Sequence, residues 1–425
     1  MIFSDLVDSL RAAPAPPQPP PPVAPYILHP EFISTYGQQT ESGQLVSPEI
    51  TKSVATAYRC GNLISDDIAG LPFQVYQKIG RDTQRILPDS IIRNVAYLLE
   101  VAPNRWMSPF IFKKTLTLWL IYWGNSYIWQ PPGAYREWFI LPSSMTFPIF
   151  DKDGLLWYHT IYPNGKTDII PEVEITHLMI NSTDGLVGRS VVRYARETIG
   201  RQLAAHETSN KISGSGLNPT AILWVNGELD NPARDKMRRT YTDGASGSAN
   251  AGKALIFDNK IAKFEPITMN ASDAQFLETT QATDAEIANY FGVPLYKLNM
   301  GKQSYESNEQ QQIDYLRSTL NPYLIQWEQA ARRKWLTQEE QDTTFFKFIR
   351  EALLQTDAKT RSEYLEKKIL SGQMSPNEAR QVEDNSAYTG GDTYYMPSNY
   401  GKIAEDGSIQ TTAAPKPATP AMQGK

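Results

Sequence analysis

Residues 272–335 read SDAQFLETTQATDAEIANYFGVPLYKLNMGKQSYESNEQQQIDYLRSTLNPYLIQWEQAARRKW. Ser272 followed three residues later by Gln275 is a capping-box start, and Gly292 with Pro294 supplies the stop. A constrained loop runs on to about Ser304, and Ser307 with Gln310 restarts a helix by the same device. In that second helix Ile313, Leu316, Leu320, Leu324, Trp327 and Ala331 recur at spacings of three and four, so they share one face. Pro322 lies in its middle. The apolar face resumes in phase beyond it, so the ring is expected to kink the helix rather than end it.

The surrounding chain has 425 residues, enough for two or three cores, and a net charge of −5. That charge argues against a large basic surface gripping nucleic acid, though not against a protein that lets nucleic acid pass. The single cysteine, Cys60, excludes an internal disulfide. The segment Met1 to Leu10 carries Asp5 and Asp8 and does not read as a signal peptide. The longest apolar run, Leu116 to Trp123, is too short to span a bilayer. The expectation is a soluble protein made inside a cell, with no membrane partner.

Outward from the central stretch, residues 12–25 are mostly Pro and Ala and read as an extended arm or spacer. Folded structure is expected from about Ser47. Val54, Ala57, Gly61, Ile64 and Ile68 form a helical stripe, and Leu71, Phe73 and Val75 alternate as a strand. Ser108-Pro109 opens a helix that runs to Trp123, where Gly124-Asn125 turns it into a strand. Short strands follow at 138–141, 155–161, 167–170 and 175–180, with Asp153-Gly154 and Asn164-Gly165 as hairpin signals. This part reads as an α+β domain. A helix over 188–212 precedes a small β/α unit, predicted as strands 221–225, 254–257 and 263–267 with a helix over 232–242. Beyond Trp335, residues 344–349 are expected to return a strand to the first domain. Two helices follow, 357–370 and one opened by Ser375-Pro376 with Glu378, and the chain turns polar from Ser386.

Candidate chemistry is sparse. Gly247 to Lys253 fits the first seven positions of a phosphate-binding loop, but Ala254 stands where a magnesium-holding hydroxyl belongs. The loop also follows a predicted helix and opens a strand, the reverse of the order that aims helix amides at phosphates. The four histidines, His29, His159, His177 and His206, lack a second ligand at metal spacing. His177 reads as a satisfied structural residue and Cys60 as a small buried one. Asp66-Asp67 and Glu339-Glu340 are sequence neighbours that diverge on a helix. The Trp106 to Trp138 aromatics read as core and subunit contact. No catalytic, cofactor or metal residues are therefore assigned.

Several segments, each weak alone, occur in a telling order. They are Ala102-Pro103-Asn104, Gly124-Asn125-Ser126-Tyr127, Gly188-Arg189-Ser190, Asn250-Ala251-Gly252-Lys253, and Asp273 to Glu278. Ile287-Ala288, Phe291-Gly292-Val293-Pro294, Tyr305 to Gln310, Leu320-Asn321-Pro322, Asn377 to Arg380 and Gly390-Gly391-Asp392 complete the series. In this order, across about residues 50–395, the chain resembles the portal proteins of tailed double-stranded DNA phages of the siphovirus type. It has Ser190-Val191 where that family often has Ser-Pro, and its proline-rich arm is not general there.

The resemblance implies an α+β ring subunit. Residues 1–46 become a disordered arm, 47–187 an α+β wing, 188–213 a first stem helix and 214–271 a clip. Residues 272–292 become the second stem helix, 293–306 a tunnel loop and 307–356 a kinked wing helix with a returning strand. A helical crown over 357–385 and a flexible tail over 386–425 complete the chain. The implied ring, usually of twelve subunits, sits at one capsid vertex of the virion after synthesis in the host cytoplasm. Double-stranded DNA is packaged and ejected through it. The implied partners are further copies of the chain, the terminase large subunit, the major capsid protein and a head-tail connector or adaptor. Tyr296, Lys297, Asn299, Lys302 and Gln303 would stand at the duplex, and Glu278, Asp284 and Glu286 would line the stem. Gly292 and Pro294 would set a hinge, and Pro322 a bend. The second stem helix carries no Lys or Arg, which suits a duplex that must slide. Rival readings are a ring-shaped adaptor or scaffold with no DNA in its lumen, and a two-domain α+β enzyme.

Overall fold

The computed structural model describes residues 37–80, 82–91, 94–132, 136–214, 221–225, 231–232, 235, 239, 261–266, 273–300, 308–353, 358–383, 385–395, 402–403 and 409–410. The chain divides into two compact units after Ala352.

The first unit is built on two packed helices, α1 (Ala55–Gly70) and α3 (Pro109–Trp123). The stripe on α1 is buried at Ala57, Cys60, Ile64 and Ile68. Gly61 lets α3 close in, because a Cβ there would lie 2.5 Å from the Tyr122 hydroxyl oxygen. That hydroxyl donates to the Ala57 carbonyl at 3.0 Å. Ser108 caps α3 by accepting from the Ile111 N–H, with Pro109 in the first turn, and Gly124 ends it at φ +79°.

Between them lie β3 (Phe73–Ile79), β4 (Asp82–Arg85) and α2 (Val95–Glu100). β5 (Asn125–Trp129) is central in a sheet ordered β10-β5-β6, where β6 is Phe139–Leu141 and β10 is Ile175–Met179. A second sheet is ordered β7 (Thr146–Phe150), β8 (Leu156–Ile161), β9 (Thr167–Pro171), all antiparallel. Tyr127, Trp129, Phe139 and Leu141 of the first sheet share one core with Tyr158 and Ile170 of the second.

His177 on β10 sits in that region with both ring nitrogens engaged. Nε2 lies 2.9 Å from Asn125 Oδ1, and Nδ1 lies 3.3 Å from the Tyr158 hydroxyl. An amide oxygen can only accept, so Nε2 carries the proton and Nδ1 accepts. Burial, helped by the Lys334 charge, pushes the imidazole pKa down to about 3. The unfolded chain takes up that proton near pH 6.5, so it binds more protons than the folded chain between the two values. Stability from this group is therefore complete above about pH 6.5 and lost as the pH falls toward 3. Between pH 6.5 and 5 the wild type is expected to lose about 1–2 kcal/mol more than His177→Gln, read from urea unfolding at each pH.

The long C-terminal helices of this unit run as α6 (Asn308–Tyr315), a π-helical turn (Leu316–Leu320) and α7 (Asn321–Trp335). The chain continues helically through Pro322. The π turn lies immediately before the ring, and it widens the backbone where a proline removes one N–H and crowds the preceding turn. β13 (Thr344–Phe348) then returns to pair antiparallel with β3, with Phe348 opposite Phe73. Those two rings stack at 4.0 Å, and Trp327 of α7 meets Phe73 edge-on at 6.1 Å.

Several boundaries differ from expectation. Folded structure starts before Ser47, because Gln38–Gln39 (β1) and Leu45–Val46 (β2) form a small hairpin. Gly200, in α4 (Val191–Gly214), lies under it, and a Cβ on Gly200 would meet Thr40 Oγ1 at 2.6 Å. The arm therefore does not extend to residue 46. β4, β7 and α2 were not anticipated. β4 is exposed throughout, and β7 carries Pro148, so neither shows clean alternation. In the small inserted unit, β11 (Ala221–Val225) pairs antiparallel with β12 (Ile261–Pro266). The expected strand 254–257 and the Gly247 to Ala254 loop lie outside the described residues, as does most of the expected helix 232–242.

In the second unit, α8 (Ala358–Leu370) ends at Gly372 with φ +68°. α9 (Pro376–Val382) begins with a complete capping box between Ser375 and Glu378. Asn377 then knots the chain. Its amide donates to the Tyr388 carbonyl at 3.0 Å and to Asp392 at 2.9 Å, and its oxygen accepts from the Tyr388 N–H. Gly391 lies so close to Asn377 that no larger residue fits there unshifted.

Candidate channel loop and its stem

The loop after α5 (Asp273–Phe291) is shaped by backbone chemistry from its first residue. Gly292 has φ +69°, its N–H bonds the Asn289 carbonyl, and the Val293 N–H bonds the Ala288 carbonyl. This is the double bond of a glycine-terminated helix. Val293 is buried, and Pro294 leads into a 3₁₀ turn over Leu295–Leu298. Asn299 closes that turn in the same way, with φ 59° and bonds from Asn299 N–H to Tyr296 and Met300 N–H to Leu295. Asparagine tolerates this left-handed conformation better than most residues.

Side chains then dock the loop. The Tyr296 hydroxyl donates to the Gln311 carbonyl at 2.8 Å. Lys297 Nζ stands over the Tyr315 ring, 4.8 Å from its centre, a cation–π contact. Beside it, burial raises the Asp67 pKa while the Lys297 charge pulls it back. The buried Tyr315 hydroxyl, set beside the Asp67 carboxylate, also pulls the Asp67 pKa down, and burial together with the carboxylate raises that of the phenol. The Thr319 hydroxyl in the π turn donates to the Gly292 carbonyl, so the hinge and the bend are tied together. Gly292, Thr319 and Pro322 line a groove of about 470 Å³ with Asn289, Tyr290 and Ile325. Lys302 and Gln303 lie outside the described residues.

The acidic residues of α5 are used between helices. Asp284 accepts from the Thr56 hydroxyl of α1 and lies 3.4 Å from Gln202 Nε2 of α4. Glu286 accepts from Arg201 at 2.6 Å and lies 3.4 Å from the Thr198 hydroxyl, both on α4. The Arg201–Glu286 pair is half-exposed and adds little stability. Ile287 and Ala288 are buried, as are Ala195 and Ile199 of α4. An α5 face that buries Ile287 and Ala288 brings the adjoining Asp284 and Glu286 carboxylates beside α1 and α4, with Glu286 about half-exposed. The Glu278 side chain lies outside the described residues.

Sequence reasoning overlooked two buried asparagines that tie separate segments of the first unit together. Asn125, read only as part of a turn, is a buried hub. Its oxygen accepts from the Gly188 N–H at 2.7 Å, and its amide donates to the Gly188 carbonyl at 2.9 Å and the Trp123 carbonyl at 3.2 Å. Asn104 plays a similar part, donating to the Trp138 carbonyl and accepting from the Trp106 and Met107 N–H groups. Only their membership in the ordered segments hinted at these roles.

Among the described residues the polar groups of this region are engaged in contacts between helices and loop. No group of three His, Cys, Asp or Glu side chains could hold a metal ion there. Cys60 is buried, and its thiol is pushed up to about 12 by burial and by Asp284, so it is a poor nucleophile. No described helix is long and apolar enough to cross a membrane.

Residues 55–384 match the sequence model of a family described as phage portal protein. The chain is 26% identical over 390 residues to the probable portal protein of Streptomyces phage phiC31, covering 88% of this chain and 84% of that one. It is 23% identical over 384 residues to the portal protein of Enterobacteria phage HK97, covering 88% of each. Among solved structures it is similar to a chain in the neck of an empty GTA particle computed with C6 symmetry. The TM-score there is 0.55 at 20% identity, over 91% of this chain and 100% of that one. A native GTA neck computed with C12 symmetry gives 0.53 at 20% identity, over 85% and 96%. An HK97-family phage portal protein from Corynebacterium diphtheriae gives 0.54 at 14% identity, over 76% and 98%.

Proposed function

Because the chain belongs to the phage portal protein family, we propose that it assembles into a ring, of twelve copies, at one vertex of a capsid, and that double-stranded DNA is packaged and ejected through the ring. The observation that carries this reading is the docked loop. Gly292, Lys297, Asn299 and Thr319 dock residues 292–300, which lead from α5 toward α6. A loop start docked in this way suits a surface past which a polymer slides. The GTA necks computed with C6 and C12 symmetry support self-assembly.

In this assignment α4 and α5 form the stem, β11 and β12 belong to the clip, and residues 37–187 with α7 and β13 form the wing. α8 and α9 form the crown. The terminase large subunit, and afterwards the head-tail connectors, dock on the clip, and the wing meets the major capsid protein. The protein works in the virion after synthesis in the host cytoplasm, and no catalytic step is assigned to it.

Lys302 is the loop cation proposed to meet the duplex, with Gln303 beside it. Lys297 instead holds the loop against Tyr315. Lys302→Ala is expected to lower DNA retention about fivefold, the worth of one partly screened ion contact of about 1 kcal/mol. If Lys297→Ala combined with Lys302→Ala leaves packaging and retention unaltered, the loop has no such role. The assembly itself is tested by imaging the purified protein. The expected result is a closed ring with a duplex-wide hole. Monomers or dimers without a hole overturn the reading, and a ring too narrow for a duplex points to an adaptor instead.

A further inference from the structure

We propose that the groove between the end of α5 and α7 is the docking site for the proline-rich arm of the same chain, residues 12–25. The groove holds about 470 Å³. That lies within the range of about 300–1,000 Å³ that ligand pockets span, so it seats a short stretch of the arm. Tyr290, Phe291, Pro322, Tyr323 and Ile325 give it aromatic and apolar walls. Tyr290 is 47% exposed and Ile325 39% exposed, so both offer apolar surface to an occupant. Among the described residues no charged side chain lines the groove.

Three observations select the occupant. The first is chemical. Residues 12–25 comprise eight Pro, four Ala, Gln18 and Val23, and carry no charge. A neutral groove accepts such a segment without desolvating an ion. The second is conformational. Proline-rich segments favour the polyproline II helix, which loses little entropy on docking and is recognised by aromatic-lined grooves. Its carbonyls have no partners within the helix, and the exposed Asn289 amide at the groove can donate to them.

The third is reach. Gln38, in β1, accepts from Arg196 of α4. Val191 lines the groove from the same helix, five residues earlier, or about 8 Å along the axis at about 1.5 Å per residue. Pro25 precedes Gln38 by thirteen residues, which extend to about 40 Å. The arm therefore reaches the groove of its own chain with slack. A tether this short holds the arm at an effective concentration of about a millimolar, so even a weak contact is filled. The docking does not depend on the ring assignment, because arm and groove belong to one chain.

The test places a photo-cross-linker at the rim of the groove in the full chain. Gln329→Cys is modified with a benzophenone maleimide; Gln329 is exposed, so the fold survives the change. Cys60 is buried, with its thiol pushed up to about 12 by that burial, so it stays unmodified. Irradiation, digestion and mass spectrometry are expected to link position 329 to residues 12–25 in a product of single-chain mass. Pro19→Ser, Pro20→Ser, Pro21→Ser and Pro22→Ser combined are expected to cut that yield about fivefold and to raise hydroxyl-radical labelling of Tyr290 about threefold. Absence of a cross-link to the arm, a cross-link to a second copy, or equal Tyr290 labelling with and without the four prolines overturns the assignment.

Discussion

Gly124→Ala is expected to destabilise the first unit by about 3 kcal/mol or more, shifting its urea unfolding midpoint well below that of the wild type. Gly124 ends α3 with φ +79°, where a Cβ costs about 1–2 kcal/mol. That Cβ would also lie 2.5 Å from Arg189 C and Ser190 N, backbone atoms that cannot swing away. Overpacking of this kind adds about 1–3 kcal/mol. The neighbouring bonds make escape harder. The Ile180 N–H bonds the Gly124 carbonyl at 2.9 Å, and the Arg189 N–H bonds the Ile180 carbonyl at 2.8 Å. Gly154 supplies the control: its φ is +78°, but a Cβ there would meet nothing within 4 Å. Gly154→Ala should therefore pay only the conformational strain. Equal midpoints for the two variants would refute the close-approach account.

Trp327→Ala is expected to cost about 3–5 kcal/mol, the range for a large aromatic removed from a core. Trp327 is 1% exposed and packs edge-on against Phe73 and Phe348. Those two rings face each other across the β3–β13 pairing, so the indole joins the long helix to the returning strand. The Glu328 carboxylate reinforces the joint, accepting from the Phe348 N–H at 2.9 Å and from Arg350 at 3.0 Å. The indole N–H is buried without a partner among the described residues. Trp327→Phe removes that orphaned donor along with some volume and should cost much less than the alanine. Hydrogen exchange should locate the damage: amides of β13 gain exchange in Trp327→Ala while those of β8 do not. Uniform exchange across both strands would contradict a local joint.

Both predictions concern residues inside the ordered segments or the apolar stripe that the sequence displays, yet neither effect is visible there. Gly124-Asn125 reads as a turn and Gly188-Arg189 as the opening of a helix; in the fold they interlock. Asn377 and Gly391 do the same in the second unit. Among the described residues, Asn104, Asn125, Gly188, Asn377 and Gly391 of the segments that carry the family resemblance are thus packing hubs.

What the sequence determined by itself was local. The caps at Ser108 and Ser375, the glycine stops at Gly124 and Gly292, the helical stripe of α1 and the return strand at Thr344–Phe348 all follow from chemistry within a few residues. Tertiary structure alone decided the partners. Asp284 meets Thr56 across 228 positions, and Asn125 meets Gly188 across 63. Lys297 turns onto Tyr315 instead of outward. Periodicity and capping constrain a residue against its near neighbours on one element, whereas the choice of a distant partner depends on how completed elements pack. That is why the start of the loop was legible from the residues, and why its docking and the intrachain partners of Asp284 and Glu286 were not.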